Sequence, residues 1–171
     1  MGTFIFIFLY FLVGDPFLVR DEAIIKFNLS GGSGKVAFDF SPQGKYLAVA
    51  SFGIEIWEVN KKEKIKQLTQ SDRFIECLKY THDGKYIATG GDYSSIVLFD
   101  AETGRAFKYF DTKRKAVNKI EISNNDKYLA ANVDGQYGYE IFIWDIQSGK
   151  FLHQIKSNQN ACFCFHPDGT K

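Results

Sequence analysis

The sequence lacks the features that mark several classes of protein. Its formal net charge is only +1, so it has no overall positive charge to attract nucleic acid or an acidic membrane. Its most apolar run, 4–13, has ten residues, whereas a helix needs about 20 to cross a bilayer. No basic residue precedes this run and no small-residue cleavage site follows it, as a secretory signal requires. We therefore expect no membrane span and no nucleic-acid partner.

Cysteine is scarce, and its spacing does not suggest a metal site. The three cysteines, Cys77, Cys162 and Cys164, cannot all pair within one chain, and no histidine or second cysteine pair completes a zinc set. Cys162 and Cys164 are two residues apart in a predicted strand and would share one face. We expect all three to be buried and reduced, which favours an intracellular, cytoplasmic protein.

No catalytic motif is present. The Gly-x-Ser-x-Gly turn that presents a nucleophilic serine is absent, and no set of nucleophile, base and charge-stabilising groups is apparent. Two of the three histidines, His82 and His166, lie in equivalent hairpin turns of a repeat that explains them. We predict that the chain is not an enzyme and needs no cofactor, metal or small-molecule ligand.

What the sequence does have is one unit that occurs three times in full and begins a fourth time. Each unit opens with a polar turn followed by Lys-Tyr and small apolar residues in the complete copies. The turns begin at Ser41, Thr81, Ser123 and His166, a period of about 40 to 45 residues. This period is typical of the four-stranded blades of a β-propeller.

The third strand of each predicted blade indicates how the blades pack. Residues 96–99 and 141–144 are apolar at consecutive positions, so both faces of these strands need to be buried. One sheet cannot cover both of its own faces, but a neighbouring sheet on each side does. We therefore predict an all-β fold of four-stranded antiparallel sheets, packed face to face as an incomplete ring.

Two kinds of turn give a resemblance to a known family. Segments 99–105 and 144–150, which contain Phe-Asp or Trp-Asp followed by Thr-Gly or Ser-Gly, resemble the endings of WD40 repeats. Segments 40–45 and 165–169 are similar to the first-hairpin turn of that family. The resemblance covers about 23–171 and implies blades of a WD40-like β-propeller, for which seven blades are usual.

The repeats also depart from the family pattern. Family blades often have a buried histidine before the first strand, which joins a chain of hydrogen bonds. The equivalent positions here are Gly31, Ser71, Lys113 and Lys156, so this histidine is missing from every copy. We expect these blades to depend more on apolar stacking than on buried polar groups.

The predicted division of the chain follows from the repeats. Segment 1–16 is an apolar N-terminal segment that we interpret as a strand of an incomplete blade, with a targeting segment or a misassigned start as alternatives. Segment 17–171 is predicted to be a propeller fragment. It comprises an outer strand at 23–29, complete blades at about 35–69, 74–111 and 116–156, and the start of another blade at 160–171.

The outer strands of the blades carry several lysines, and the loops carry the candidate binding residues. Charge on an exposed edge discourages pairing with other chains, which explains Lys64, Lys66, Lys108, Lys150 and Lys156. In this architecture the loops between fourth and first strands, and between second and third strands, share one end of the sheets, here called the loop face. The candidate protein-binding residues on the loop face are Asp72, Arg73, Asp92, Tyr93, Lys113, Arg114, Lys115, Asp134, Gln136 and Tyr137. Arginine and tyrosine are favoured interface anchors, and ordinary solvated loops are the alternative interpretation.

Two functions are compatible with these residues. The resemblance implies a non-catalytic scaffold that binds a protein or peptide through the loop face. The alternative is the propeller part of a larger enzyme, such as a propeller-bearing peptidase, whose catalytic domain lies outside this chain. A longer reading frame that encodes a hydrolase domain would favour the alternative.

The first testable prediction concerns the isolated chain. Its terminal sheets would leave apolar residues such as Phe38, Ile54 and Phe142 without a covering sheet, and exposed apolar patches promote association. We expect residues 1–171 to self-associate, and an extended reading frame to cure this, as measured by light scattering and thermal melting. A monodisperse monomer with a cooperative melt would contradict the prediction.

Overall fold

In a computed structural model, the described residues are 4–8, 24–28, 36–50, 53–70, 74–92, 95–135, 138–157 and 162–168. The ordered elements in these ranges are fourteen β-strands. Nowhere in these ranges is there a helix with the length and apolar character to cross a membrane. The chain divides into two compact units, 1–34 and 35–171.

The first unit contains one antiparallel strand pair. Strand β1 (Phe4–Phe8) pairs with β2 (Ile24–Asn28), so that Phe4 lies opposite Asn28. Alternating aromatic and β-branched residues favour a strand at 4–8, and two isoleucines with a phenylalanine favour one at 24–28. The interpretation of these segments as parts of an incomplete blade stays a prediction.

The second unit contains three sheets, each of four antiparallel strands in chain order. The first sheet comprises β3 (Ala37–Phe40), β4 (Tyr46–Ala50), β5 (Gly53–Glu58) and β6 (Glu63–Gln70). The second comprises β7 (Ile75–Tyr80), β8 (Tyr86–Gly91), β9 (Ser95–Asp100) and β10 (Ala106–Asp111). The third comprises β11 (Val117–Ile122), β12 (Tyr128–Gly135), β13 (Gly138–Asp145) and β14 (Phe151–Ser157). The predicted all-β fold of four-stranded antiparallel sheets is confirmed.

The first hairpin of each sheet is closed by the same hydrogen bond. The hydroxyl oxygens of Ser41, Thr81 and Ser123 accept hydrogen bonds from the backbone N–H groups five residues later, at 2.9 to 3.0 Å. This explains why a hydroxyl residue recurs at that position. The turn also needs a left-handed residue, which is Gly84 (φ 74°) in the second sheet but Asp126 (φ 54°) in the third.

The turn between third and fourth strands is held by an aspartate. Asp100 Oδ1 accepts hydrogen bonds from the backbone N–H of Thr103 at 2.6 Å and from its hydroxyl at 2.8 Å. Asp145 and Ser148 repeat the arrangement at 2.8 and 2.7 Å. The bonds from Thr103 and Ser148 lower the pKa of Asp100 and Asp145, because they stabilise the charged carboxylates. The aspartate of each Phe-Asp or Trp-Asp ending therefore stabilises the turn that follows it.

Each outer strand also has a β-bulge at an equivalent position. The extra residues are Ile65, Phe107 and Leu152, where the pairing with the third strand shifts by one residue. The side chains of Ile65 and Phe107 remain about half exposed. Bulges and charged side chains are two ways of preventing other chains from pairing with an edge strand.

Neighbouring sheets pack face to face, as the consecutive apolar residues predict. Ile96 and Leu98 of the second sheet lie in a core with residues of the third sheet, including Trp144. Phe99, on the other face of β9, packs against a core shared with the first sheet. Both faces of the second sheet are thus covered, and inter-sheet packing forms most of the hydrophobic core. The expectation that Ile54 and Phe142 lack a covering sheet is wrong, because both are fully buried in these cores, whereas Phe38 is 44% exposed.

Polar contacts also join neighbouring sheets. Asp39 Oδ2 in the first sheet accepts a hydrogen bond from the backbone N–H of Tyr80 in the second, at 2.8 Å. The Asp126 carboxylate of the third sheet accepts hydrogen bonds from the backbone N–H groups of His82 and Asp83, at 2.7 and 2.8 Å. Lys108 Nζ donates to the carbonyl oxygen of Ile146 at 2.9 Å, so this outer-strand lysine has a packing role besides protecting the edge.

The prediction for two of the cysteines is wrong. Cys162 and Cys164 lie in segment 162–168, which is not a strand, and both are exposed. The intervening Phe163 and the following Phe165 face the third sheet, where Lys119 Nζ lies 4.9 Å from the Phe163 ring centroid and Tyr128 stacks on Phe165. Phe163 and Phe165 therefore pack against the third sheet, and the cysteines that alternate with them point to solvent. Cys77 is largely buried, and desolvation raises its pKa to about 12.

The packing between the second and third sheets generates a stability prediction. Phe110 is 1% exposed and its ring meets that of Trp144 edge-on, with centroids 5.9 Å apart. We expect Phe110→Ala to lower the free energy of unfolding by about 3–5 kcal/mol, because it leaves a cavity between the sheets. Urea denaturation measures the change.

The matched control is the neighbouring residue on the same strand. Tyr109 is 64% exposed, so Tyr109→Ala should change the free energy of unfolding by only about 0.5 kcal/mol. Equal losses from the two variants would contradict the described packing.

Candidate functional site

The two ends of the sheets differ in their connections. At one end the first hairpin of each sheet adjoins the turn between third and fourth strands, as in the bond from Ala101 N–H to the Lys85 carbonyl oxygen at 2.9 Å. At the other end the connection between β10 and β11 meets the end of β12, through a bond from Asp134 N–H to the Ala116 carbonyl oxygen at 3.0 Å. The second end is the loop face of the sequence prediction.

Half of the ten predicted site residues belong to the described part of the chain. Asp92 is exposed at the end of β8, and Asp134 is exposed near the end of β12. Lys113, Arg114 and Lys115 lie together in the β10–β11 connection. The other five, Asp72, Arg73, Tyr93, Gln136 and Tyr137, lie outside the described residues.

The β10–β11 connection is fixed by its own hydrogen bonds. The Thr112 hydroxyl donates to the Lys115 carbonyl oxygen at 2.8 Å, and Asp111 Oδ1 accepts from the backbone N–H of Lys113 at 2.7 Å. Thr112 is fully buried. These bonds hold the loop in a tight turn.

The tip of this turn has an unusual backbone conformation. Lys113 and Arg114 have φ angles of 57° and 63°, in the left-handed region that glycine and asparagine normally occupy. Each such residue costs about 1–2 kcal/mol relative to a right-handed conformation. Contacts elsewhere in the loop need to offset this cost.

The side chain of Lys113 provides one such contact. Its Nζ lies 5.1 Å from the ring centroid of Phe142 and 4.8 Å from that of Phe151. Both distances are within the range of a favourable cation–π interaction. Lys113 occupies the position at which WD40 repeats often have a buried histidine. Here its ammonium group joins the loop to the third sheet through cation–π contacts instead of a hydrogen bond.

Lys115 is anchored on the same sheet by an ion pair. Its ammonium group meets the Glu140 carboxylate, and the side chains are only 23% and 13% exposed. Its Nζ also lies 5.3 Å from the Phe142 ring centroid. Glu140 was not among the predicted site residues, because the contact joins residues that lie far apart in the sequence and depends on the register of β13.

Asp134 is joined to the same region by a second residue that sequence reasoning missed. Asn118 Nδ2 donates to Asp134 Oδ1 at 2.7 Å. The structure thus brings Lys113, Lys115 and Asp134 together around the β10–β11 connection. Asp92 directly follows β8 of the neighbouring sheet.

Other polar groups with shifted pKa values have roles in packing. Burial raises the pKa of Asp39, which accepts the inter-sheet bond from Tyr80. Burial also raises the pKa of Tyr80 to about 12. Within the described ranges, no three His, Cys, Asp or Glu side chains are grouped so that they could hold a metal ion.

Comparison with known proteins agrees with this architecture. Residues 53–125 match the family described as "Anaphase-promoting complex subunit 4 WD40 domain". The chain is 30% identical over 134 residues to "U3 small nucleolar RNA-associated protein 15 homolog" of Gallus gallus. The aligned region covers 78% of this chain and 25% of that protein. The chain therefore spans about a quarter of the length of this curated relative.

Solved structures show the same fold at lower identity. The WD40 repeats of RRP9 give a TM-score of 0.67 at 17% identity, over 80% of this chain and 43% of that one. A chain of Kuenenia stuttgartiensis hydrazine synthase gives 0.63 at 22% identity, over 69% of this chain and 36% of that one. The sheets are therefore blades of the β-propeller type. With the repeats and the sequence matches, they identify the chain as a member of the WD40-repeat family.

The ion pair at the loop face generates the next prediction. In a double-mutant cycle with Lys115→Met and Glu140→Gln, we expect a coupling energy of about 1–2 kcal/mol, because both groups are mostly buried. The exposed pair Lys61–Glu58, whose lysine is 62% exposed, is the control and should couple more weakly, because solvent screens it. Urea denaturation of both cycles gives the energies, and equal couplings would contradict the anchoring of Lys115.

Proposed function

We propose that this chain is part of a non-catalytic scaffold that binds a protein or peptide through the loop face. The observation that carries the proposal is the β10–β11 connection, which holds three consecutive cationic residues in one fixed turn. An ordinary solvated loop does not need two left-handed residues fastened by a cation–π contact and an ion pair. A rigid loop loses less conformational entropy on binding, which favours affinity.

The comparisons support a role in an assembly. The name of the Gallus gallus relative associates that protein with a small nucleolar RNA. We propose that the present chain likewise acts within a larger intracellular complex, in the nucleolus or the cytoplasm. The sequence prediction excluded a nucleic-acid partner on net charge alone, and the relative's name makes RNA a necessary comparison ligand in any binding test.

The enzyme alternative rests on an architectural likeness. A chain of a protein named as a hydrazine synthase contains similar sheets, and a likeness at 22% identity shows the fold alone. The carboxylates of Asp39, Asp100 and Asp145, whose pKa values are shifted, join sheets or hold turns, which supports the scaffold over a catalytic role for these groups. A hydrolase domain in a longer reading frame would favour the alternative.

The proposal is tested by changing the loop face. We expect the triple variant Arg73→Ala, Tyr93→Ala, Arg114→Ala to lower the recovery of a specific partner in pull-down experiments, because it removes the largest candidate anchors. Quantitative mass spectrometry of the recovered proteins measures the change. The circular dichroism spectrum should stay the same, because Arg114 is in a turn and the sequence predicts loops at Arg73 and Tyr93.

The matched control lies at the opposite end of the sheets. Lys85→Ala and Arg105→Ala remove two exposed cations from the hairpin turns there and should leave recovery unchanged. If the triple variant recovers as much partner as the unmodified chain, the loop face is not the binding surface.

A further inference from the structure

Arg114 differs from both of its cationic neighbours. Lys113 contacts two aromatic rings and Lys115 forms an ion pair, so both of their side chains are directed back onto the third sheet. Arg114 is exposed and makes no hydrogen bond or ion pair with any residue in the described ranges. The tip of the turn therefore presents one guanidinium group to solvent.

The carboxylates near this turn are already engaged. Glu140 pairs with Lys115, Asp111 accepts the backbone N–H of Lys113, and Asp134 accepts the amide of Asn118. These bonds stabilise the loop, and none of these three carboxylates forms an ion pair with Arg114. The contacts of Lys113 and Lys115 therefore fix the loop, while the side chain of Arg114 stays exposed between them.

The guanidinium group selects the chemistry of the ligand. Its planar arrangement of N–H donors matches a carboxylate or phosphate through two parallel hydrogen bonds, which an ammonium group cannot reproduce. A nucleic-acid backbone carries a negative charge on every nucleotide. Along this surface it would bring several negative charges to the carboxylates of Asp111, Asp134 and Glu140, whereas a peptide with one isolated acidic side chain brings a single carboxylate, which can lie at Arg114.

We infer that Arg114 is the anchor by which the loop face binds a carboxylate of an acidic peptide segment. The inference rests on the proposed function and deepens it by naming the chemistry of the partner. The left-handed turn, the cation–π contact of Lys113 and the Lys115–Glu140 pair act as positioning elements for the guanidinium. Pre-organisation of this kind reduces the entropy lost when the ligand binds.

The experiment observes the arginine side chains directly. The full chain has four arginines, Arg20, Arg73, Arg105 and Arg114, so an ¹⁵N-labelled sample gives four Nε–Hε resonances to distinguish. Arg114→Lys removes one resonance and thereby assigns it. The probes are a decapeptide of glycine and serine with one central glutamate, the same peptide with glutamine for glutamate, and a single-stranded oligouridylate.

We expect the glutamate peptide to shift the Arg114 resonance in a saturable way and to leave that of Arg105, at the opposite end of the sheets, in place. The glutamine peptide should cause no shift. Binding should weaken by about tenfold in Arg114→Ala, and Arg114→Lys should retain an intermediate affinity because it keeps the charge but not the paired donors. A dispersed amide spectrum of each variant shows that it is folded.

Three results would overturn the inference. They are an Arg114 resonance that the glutamate peptide does not move, an equal shift with the glutamine peptide, and a shift with oligouridylate alone. If the resonance does not respond while the triple loop variant still loses its partner, the proposed scaffold function stands and only the anchor is wrong.

Discussion

The burial of apolar faces between neighbouring sheets is the constraint on which the rest of the structure depends. Ile96 and Leu98 need the third sheet to cover them, and Phe99 on the opposite face needs the first. The sheets are stable only as neighbours, since each core is formed by residues of two sheets. The facing sides of the sheets are occupied by packing, and their outer edges carry bulges and lysines. The loops at the two ends are therefore the places where one repeat can differ from another without disturbing the core.

The junctions between sheets show how the chain manages without the family's buried histidine. Apolar packing is supplemented by polar contacts that differ from one junction to the next. Asp39 joins the first sheet to the second, whereas Asp126 and Lys108 join the second to the third. At the position of the missing histidine, Lys113 makes cation–π contacts with Phe142 and Phe151, where the family has a chain of hydrogen bonds.

The sequence could predict the strands, the turns and the stacking, because these follow from the repeat period and from residue types within a few positions of each other. It could also place Lys113, Arg114 and Lys115 in a connection between sheets. The partners of these residues could not be predicted, since the contact of Lys115 with Glu140 depends on the register of β13. The exposure of Cys162 and Cys164 was missed because Phe163 and Phe165 alternate with them and take the packed side.

The hydrogen bonds of Asp126 have a consequence for the history of the repeats. They require backbone N–H groups at His82 and Asp83, and the position in the first sheet that corresponds to His82 is Pro42, which has no N–H to donate. Asp126 therefore makes both bonds beside the second sheet, but beside the first it could make only one, with the N–H of Gln43. A duplication or deletion that changed this order would lose one hydrogen bond, so at this junction the repeats have ceased to be interchangeable copies.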